Sequence, residues 1–320
     1  IVGALLADPN GGDSGRSYVV FGKTGGFASP LQLSSLNGTD GFKLDGEAAG
    51  NQSGASVAAA GDINGDDIDD LIIGAWLADP NGGDSGRSYV VFGKTGGFAS
   101  PLQLSSLDGT NGFKLDGEAA VDQSGVSVAA AGDLNRDGID DLIVGAWRAD
   151  PNGNGSGRSY VVFGKTGGFA SPLQLSSLDG TDGFKLDGEA AGDYSGYSVA
   201  AAGDLNGDDI DDLLVGAWLA DPNGGDSGRS YVVFGNVGGF ASPLQLSSLD
   251  GTNGFKLDGE AAGDYAGRSV AAAGDVNGDG LDDLIVGAYR ADPNGNASGR
   301  SYVVFGSSGD VLFADGFESQ

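Results

Sequence analysis

The chain has 320 residues, 62 of them glycine, no cysteine, histidine or methionine, and 45 acidic against 16 basic side chains, a net charge of −29. That inventory excludes thiol nucleophiles, disulfides, Ser-His triads and histidine-ligated zinc, and so acidic a surface without a basic stripe argues against nucleic-acid or anionic-lipid partners. Short runs of valine, isoleucine, leucine and aromatics between glycine-rich turns predict an all-β protein, and no apolar run approaches the roughly 18 residues that span a bilayer, so no membrane insertion is expected.

Taken in order, the chain opens in mid-pattern, with Ile1 matching Ile72, and is read as truncated or processed at that end, where a signal peptide could have been lost. A strict 71-residue period follows: the run Ser17 to Gly22 returns at 88, 159, 230 and 301, and Asp62 returns as Asp133, Asp204 and Asp275. Four strands are predicted per period. Ser56 to Gly61 is rich in alanine, as suits a strand crowded against a central axis. Leu71 to Trp76 is continuously apolar and suited to burial on both faces. A turn over 78–86 leads to a third strand, Arg87 to Gly93. The segment from Lys94 to Asn111 is long and holds a candidate bracing strand at Leu102 to Leu104. Gly112 to Gly117 is the outer strand.

Short antiparallel strands repeated in tandem predict a β-propeller, because each small sheet buries its faces only against neighbouring blades. A 71-residue unit is too long for one coil of a linear solenoid. Five four-stranded blades are expected, limited at about 1–52, 53–123, 124–194, 195–265 and 266–320, the first lacking its inner strand. The propeller proper covers 1–306. A divergent tail, 307–320, is the candidate outer strand of the last blade, since Asp315 to Phe317 echoes Asp40 to Phe42.

Between the first and second strands lies a nonapeptide, Asp62 to Asp70, that recurs from Asp133, Asp204 and Asp275 and holds 18 of the 45 acids. Oxygen-bearing side chains occupy its positions 1, 3, 5 and 9, and a tight turn would aim them, with the position 7 carbonyl, at one point. A hard cation such as calcium takes six to eight oxygen ligands from such a loop. The candidate ligands are Asp62, Asn64, Asp66, Ile68 and Asp70; Asp133, Asn135, Asp137, Ile139 and Asp141; Asp204, Asn206, Asp208, Ile210 and Asp212; Asp275, Asn277, Asp279, Leu281 and Asp283. Four structural calcium ions are expected, and they would reduce the net charge from −29 to −21. Position 4 varies between glycine and Arg136, and position 6 between aspartate and glycine, both places that need not coordinate. Paired acids such as Asp69 and Asp70 sit in repeated turns rather than across a cleft, so no catalytic residue is assigned.

The near-identical repeats disagree most just before the first strand. Asn51, Gln52 and Ala55 become Asp122, Gln123 and Val126, then Asp193, Tyr194 and Tyr197, then Asp264, Tyr265 and Arg268. Strand parity puts this loop, and the second-strand ends at Trp76, Trp147, Trp218 and Tyr289, on the face away from the nonapeptides. These four aromatics, with Tyr194, Tyr197, Tyr265 and Arg268, are the ligand-face candidates. They are read either as sugar-stacking platforms or as fillers of the wedge between blades. The loops that begin at Asp8, Asp79, Asp150, Asp221 and Asp292 carry proline, asparagine and glycine, and turn chemistry accounts for them.

The stretch Ser56 to Trp76, with its acidic loop, following apolar strand and Gly-Ala pair, resembles the FG-GAP repeat of integrin alpha-subunit propellers and their bacterial secreted relatives. The likeness covers residues 1 to about 306. Where the repeat has Phe-Gly this chain has Ser53-Gly54, Ser124-Gly125, Ser195-Gly196 and Ala266-Gly267, and where it has Gly-Ala-Pro the third residue is Leu5, Trp76, Trp147, Trp218 or Tyr289. The resemblance implies a secreted or cell-surface recognition or adhesion module that binds a glycan or protein and is not itself an enzyme. The other reading is the non-catalytic propeller of a larger secreted hydrolase or lyase.

Overall fold

The structure, a computed structural model, describes residues 1–308. In the second repeat Ser56–Gly61 pairs antiparallel with Asp70–Ala75, which pairs with Arg87–Val91, which pairs with Gly112–Asp116. The same sheet recurs as Ser127–Gly132, Asp141–Ala146, Arg158–Val162 and Gly183–Asp187, and again as Ser198–Gly203, Asp212–Ala217, Arg229–Val233 and Gly254–Asp258. The first sheet begins at the second strand, Val2–Ala4, and continues with Arg16–Val20 and Gly41–Asp45, so it lacks an inner strand. The last has Ala266–Gly274, Asp283–Ala288 and Arg300–Val304. These are blades 1 to 5 of an all-β propeller. The tail proposed to complete blade 5 lies, from residue 309 on, outside the described residues.

Alanine in the first strand lets neighbouring blades approach there, and the first strands of blades 2, 3, 4 and 5 pack side by side. The hydroxyl of Ser56 accepts the Val128 N–H of the next blade, and Ser127 does the same for Val199. In blades 2 to 4 the second and third strands are buried on both faces, as their unbroken apolar runs require. The hydrophobic core is accordingly divided into layers between successive sheets. One layer joins Ile72, Val90 and Phe113 of blade 2 to Leu142, Val144 and Tyr160 of blade 3.

The long segment after the third strand folds back onto the preceding blade. Leu102–Gln103 pairs in parallel with Leu44 and Asp45, and Leu173–Gln174 with Leu115 and Asp116, so the bracing strand is real but belongs to the neighbour's sheet. A 3-10 turn then covers Leu104–Ser106. Phe98 stacks on Phe42 at 4.1 Å, and Phe169 on Phe113 at the same spacing. The outer strands of blades 1, 2 and 3 are thus sealed by the repeat that follows each.

A charged clasp reinforces the joint. The Glu118 carboxylate accepts from Arg158 Nη1 at 2.9 Å and Tyr160 Oη at 3.2 Å and pairs with Lys185 Nζ at 3.2 Å, while Arg158 Nε also donates to Asp187 at 2.6 Å. Glu47 and Glu189 make the same contacts one blade earlier and one later. Replacing Glu118 with alanine leaves a guanidinium and a buried phenol short of an acceptor, an expected loss of about 1–3 kcal/mol in urea unfolding. The same change at Glu260, whose side chain is 58% exposed, should cost less.

Candidate metal loops and recognition face

Each nonapeptide closes the hairpin between the first and second strands, on one face of the propeller. The Asp62 carboxylate at position 1 accepts N–H bonds from Gly65 at 2.8 Å, Asp66 at 3.0 Å and Asp67 at 2.7 Å. Asp66 at position 5 accepts the N–H of Ile68 at position 7, at 3.0 Å. At position 3, Asn135, Asn206 and Asn277 each accept the position 5 N–H through Oδ1. Positions 1, 3, 5 and 7 therefore belong to one tight turn, held by its own side chains. Position 9 sits beneath it, fully buried: Asp70 accepts from Ile63 N–H at 3.2 Å and from Gly93 N–H at 2.7 Å. Asp141, Asp212 and Asp283 repeat both bonds.

Burial pushes the Asp70, Asp141 and Asp212 carboxyls up to about 7, 8 and 7, and the acids at positions 5 and 1 of the same loop add to the push. These groups consequently share one electrostatic neighbourhood, with an excess of negative charge that a cation would relieve. Among the described residues, no three acidic side chains converge closely enough to form a ready-made metal centre. The donor set is nonetheless all oxygen, from carboxylates and a carboxamide, and suits a hard divalent cation rather than a soft one.

The sequence reading overlooked position 8. Asp140 reaches back to accept the Asp62 N–H of the previous blade at 2.8 Å, and Asp211 and Asp282 do the same for Asp133 and Asp204. Gly61, at φ +67, makes room for this carboxylate, because a Cβ there would run into it. The invariance of position 8 within the chain, Asp69, Asp140, Asp211 and Asp282, was the available signal.

On the opposite face, Trp76 and Trp147 donate Nε1–H to Gln52 and Gln123, at 3.1 and 2.9 Å. In blades 4 and 5 the glutamine gives way to tyrosine, and from blade 3 onward the rings join across blades. Trp147 meets Tyr194 at 4.9 Å and Tyr197 at 5.5 Å, Tyr197 meets Trp218 at 5.4 Å, Trp218 meets Tyr265 at 5.4 Å, and Tyr265 meets Tyr289 at 5.6 Å. Arg268 lies over Trp218, Tyr197 and Tyr289 at 4.7, 4.9 and 5.1 Å, Arg148 lies over Trp147, and Arg290 over Tyr265. Without its glutamine, Trp218 Nε1 is buried with no acceptor, a cost on the order of 1–3 kcal/mol. The candidates for this face are brought together, except Trp76, which stands with its glutamine in blade 2.

The FG-GAP repeat matches this chain at residues 53–91, 124–162, 195–233 and 266–304, each match running from the approach to the first strand through the nonapeptide to the end of the third. The chain belongs to the FG-GAP repeat family. It is 30% identical over 246 residues to integrin alpha pat-2 of Caenorhabditis elegans, covering 75% of this chain and 18% of that protein. With integrin alpha-5 of Xenopus laevis it shares 31% identity over 247 residues, 75% of this chain and 20% of the relative. With human integrin alpha-7 it shares 34% over 183 residues, 56% of this chain and 13% of the relative. The chain thus spans about a fifth or less of the length of these curated relatives. The FG-GAP matches stop short of the bracing strand, or strap, and of the outer strand.

Just before the first strand, Asp122 is almost fully buried, and burial, with the nearby Glu118 charge, pushes its carboxyl up to about 6 although it accepts the Ala119 N–H. A folded value above the unfolded one, about 3.9, means that this group's contribution is complete below pH 4 and is lost as pH rises through 6. Asp122→Asn keeps an acceptor oxygen, and asparagine already occupies this place as Asn51. The variant is expected to gain on the order of 1–2 kcal/mol at pH 7 and nothing at pH 4, as read by thermal melting at the two pH values.

Proposed function

We propose that this FG-GAP propeller is a calcium-stabilised extracellular recognition or adhesion module, without catalytic activity, that binds a glycan or protein ligand through the face opposite its nonapeptides. The observation that carries the reading is the aromatic run. Repeats that are otherwise nearly identical depart from one another at these positions, and at Trp218 the departure sacrifices a hydrogen bond, so stability alone does not account for the choice. The likeness to integrin alpha chains supports an extracellular setting. Among the described residues no helix is long and apolar enough to cross a membrane.

In the metal loops, the side chains at positions 1, 3, 5 and 9 and the position 7 carbonyl, from Asp62 to Asp70 and in the three later copies, would hold calcium. The ion supplies positive charge at a turn that otherwise concentrates acids. The chain's own part is to fix the turn in advance through the position 1 and position 5 carboxylates. Position 9 ties that turn to the second and third strands, which makes the loops structural rather than reactive.

Suppose each site has a dissociation constant near 10 µM and calcium is at about 1 mM. Occupancy then stabilises the fold by about 2.7 kcal/mol per site and roughly 11 for four, comparable with the whole stability of a typical domain. Excess chelator should lower the melting temperature by tens of degrees, calcium should restore it, and magnesium should restore it poorly. The double variant Asp204→Ala and Asp208→Ala should weaken blades 4 and 5 before the others in hydrogen exchange. A melting curve indifferent to chelator would remove calcium from the proposal.

A further inference from the structure

We propose that the aromatic run on blades 3 to 5 takes a carboxylate-bearing sugar, an oligomer of uronic acid; the inference rests on the recognition reading above. The argument begins with the arginines, of which the chain has nine. Six of them, Arg16, Arg87, Arg136, Arg158, Arg229 and Arg300, are ion-paired with aspartate or glutamate. The remaining three are Arg148, Arg268 and Arg290, and among the described residues none of these has a carboxylate within 4.0 Å or a hydrogen-bond acceptor for its guanidinium. All three lie over rings of this one face. In a chain with 45 acids, three guanidinium groups held by aromatic rings and left without a carboxylate form a set of forked donors matched to an anion from outside.

The rings decide between kinds of anion. Trp147, Tyr197, Trp218 and Tyr265 follow one another at 5.4–5.5 Å and offer amphipathic surface to the C–H faces of sugar rings. An acidic peptide would use the guanidinium groups but little of this surface. A neutral glycan would use the surface and leave the donors unanswered. A uronic acid uses both. The acids of the metal loops lie on the opposite face, and screening beyond about 8 Å at physiological salt limits their repulsion.

Blade 2 provides the control, because it carries Gln52 and Ala55 where blades 4 and 5 carry the tyrosines and Arg268. The variant Tyr194→Gln, Tyr197→Ala, Tyr265→Gln, Arg268→Ala copies those residues, restores an acceptor for Trp218 Nε1 and should melt no lower than the parent. Calorimetric titration of the calcium-loaded chain with a short galacturonate oligomer should show binding. Binding of its methyl ester should be weaker by about tenfold or more, and the blade 2 copy should lose a similar factor. Arg268→Lys, which keeps the charge but not the fork, should lose several-fold. Equal binding of acid and ester, both lost in the blade 2 copy, would overturn the acidic-sugar inference and leave recognition through this face standing. Tighter binding of poly-glutamate than of the oligomer would overturn it in favour of an acidic peptide. Binding undiminished in the blade 2 copy would overturn both the inference and the choice of face. No binding of the oligomer to the parent would overturn the inference alone.

Discussion

Blades 2 to 5 each depend on one buried aspartate. The position 9 carboxylate has no contact with solvent, and its two oxygens accept one N–H from the turn above it and one from the glycine that ends the third strand. A single side chain therefore fastens the acidic loop to the strands around it. A buried carboxylate without a counter-charge is costly, which burial expresses by pushing these groups up to about 7 or 8. The loop above is built from further acids that make the cost greater. The chain's own hydrogen bonds shape the turn, and a divalent cation is the natural means of offsetting its charge.

Completion by the neighbour is the second constraint. The core is not central to any sheet but lies in layers between sheets, and the strap, the glutamate clasp and the position 8 aspartate all cross from one repeat to the next. Some polar groups of a blade are satisfied only by its neighbour. The energetics should therefore follow nearest-neighbour behaviour, in which damage at one joint is felt first by the two blades that share it. Rigidity of the nonapeptide face and continuity of the opposite face come from the same joints.

Against this regular background the aromatic face stands out by being irregular. Blades 2 and 3 each keep a tryptophan bonded to glutamine, whereas blades 4 and 5 carry tyrosine in the glutamine's place, and stacked rings and arginines join blades 3 to 5. The exchange adds surface suited to binding while leaving Trp218 Nε1 without an acceptor. A site that gives up local stability in one sector of a repeated scaffold has the character expected of recognition rather than of folding.

The sequence by itself determined the period, the strands, the propeller class and the turn that gathers positions 1, 3, 5 and 7, because all of these depend on alternation, glycine placement and contacts a few residues apart. It also placed the variable residues on the face away from the acidic loops, since strand parity alone decides that. Tertiary structure alone decided what those residues touch. Asp140 finds its donor 78 residues away, Gln103 meets Asp45 at a separation of 58, and Arg268 enters a cage drawn from blades 4 and 5. Such pairings follow from the rotation between successive blades, which sets which side chains of neighbouring repeats come within reach, and no local pattern encodes that rotation.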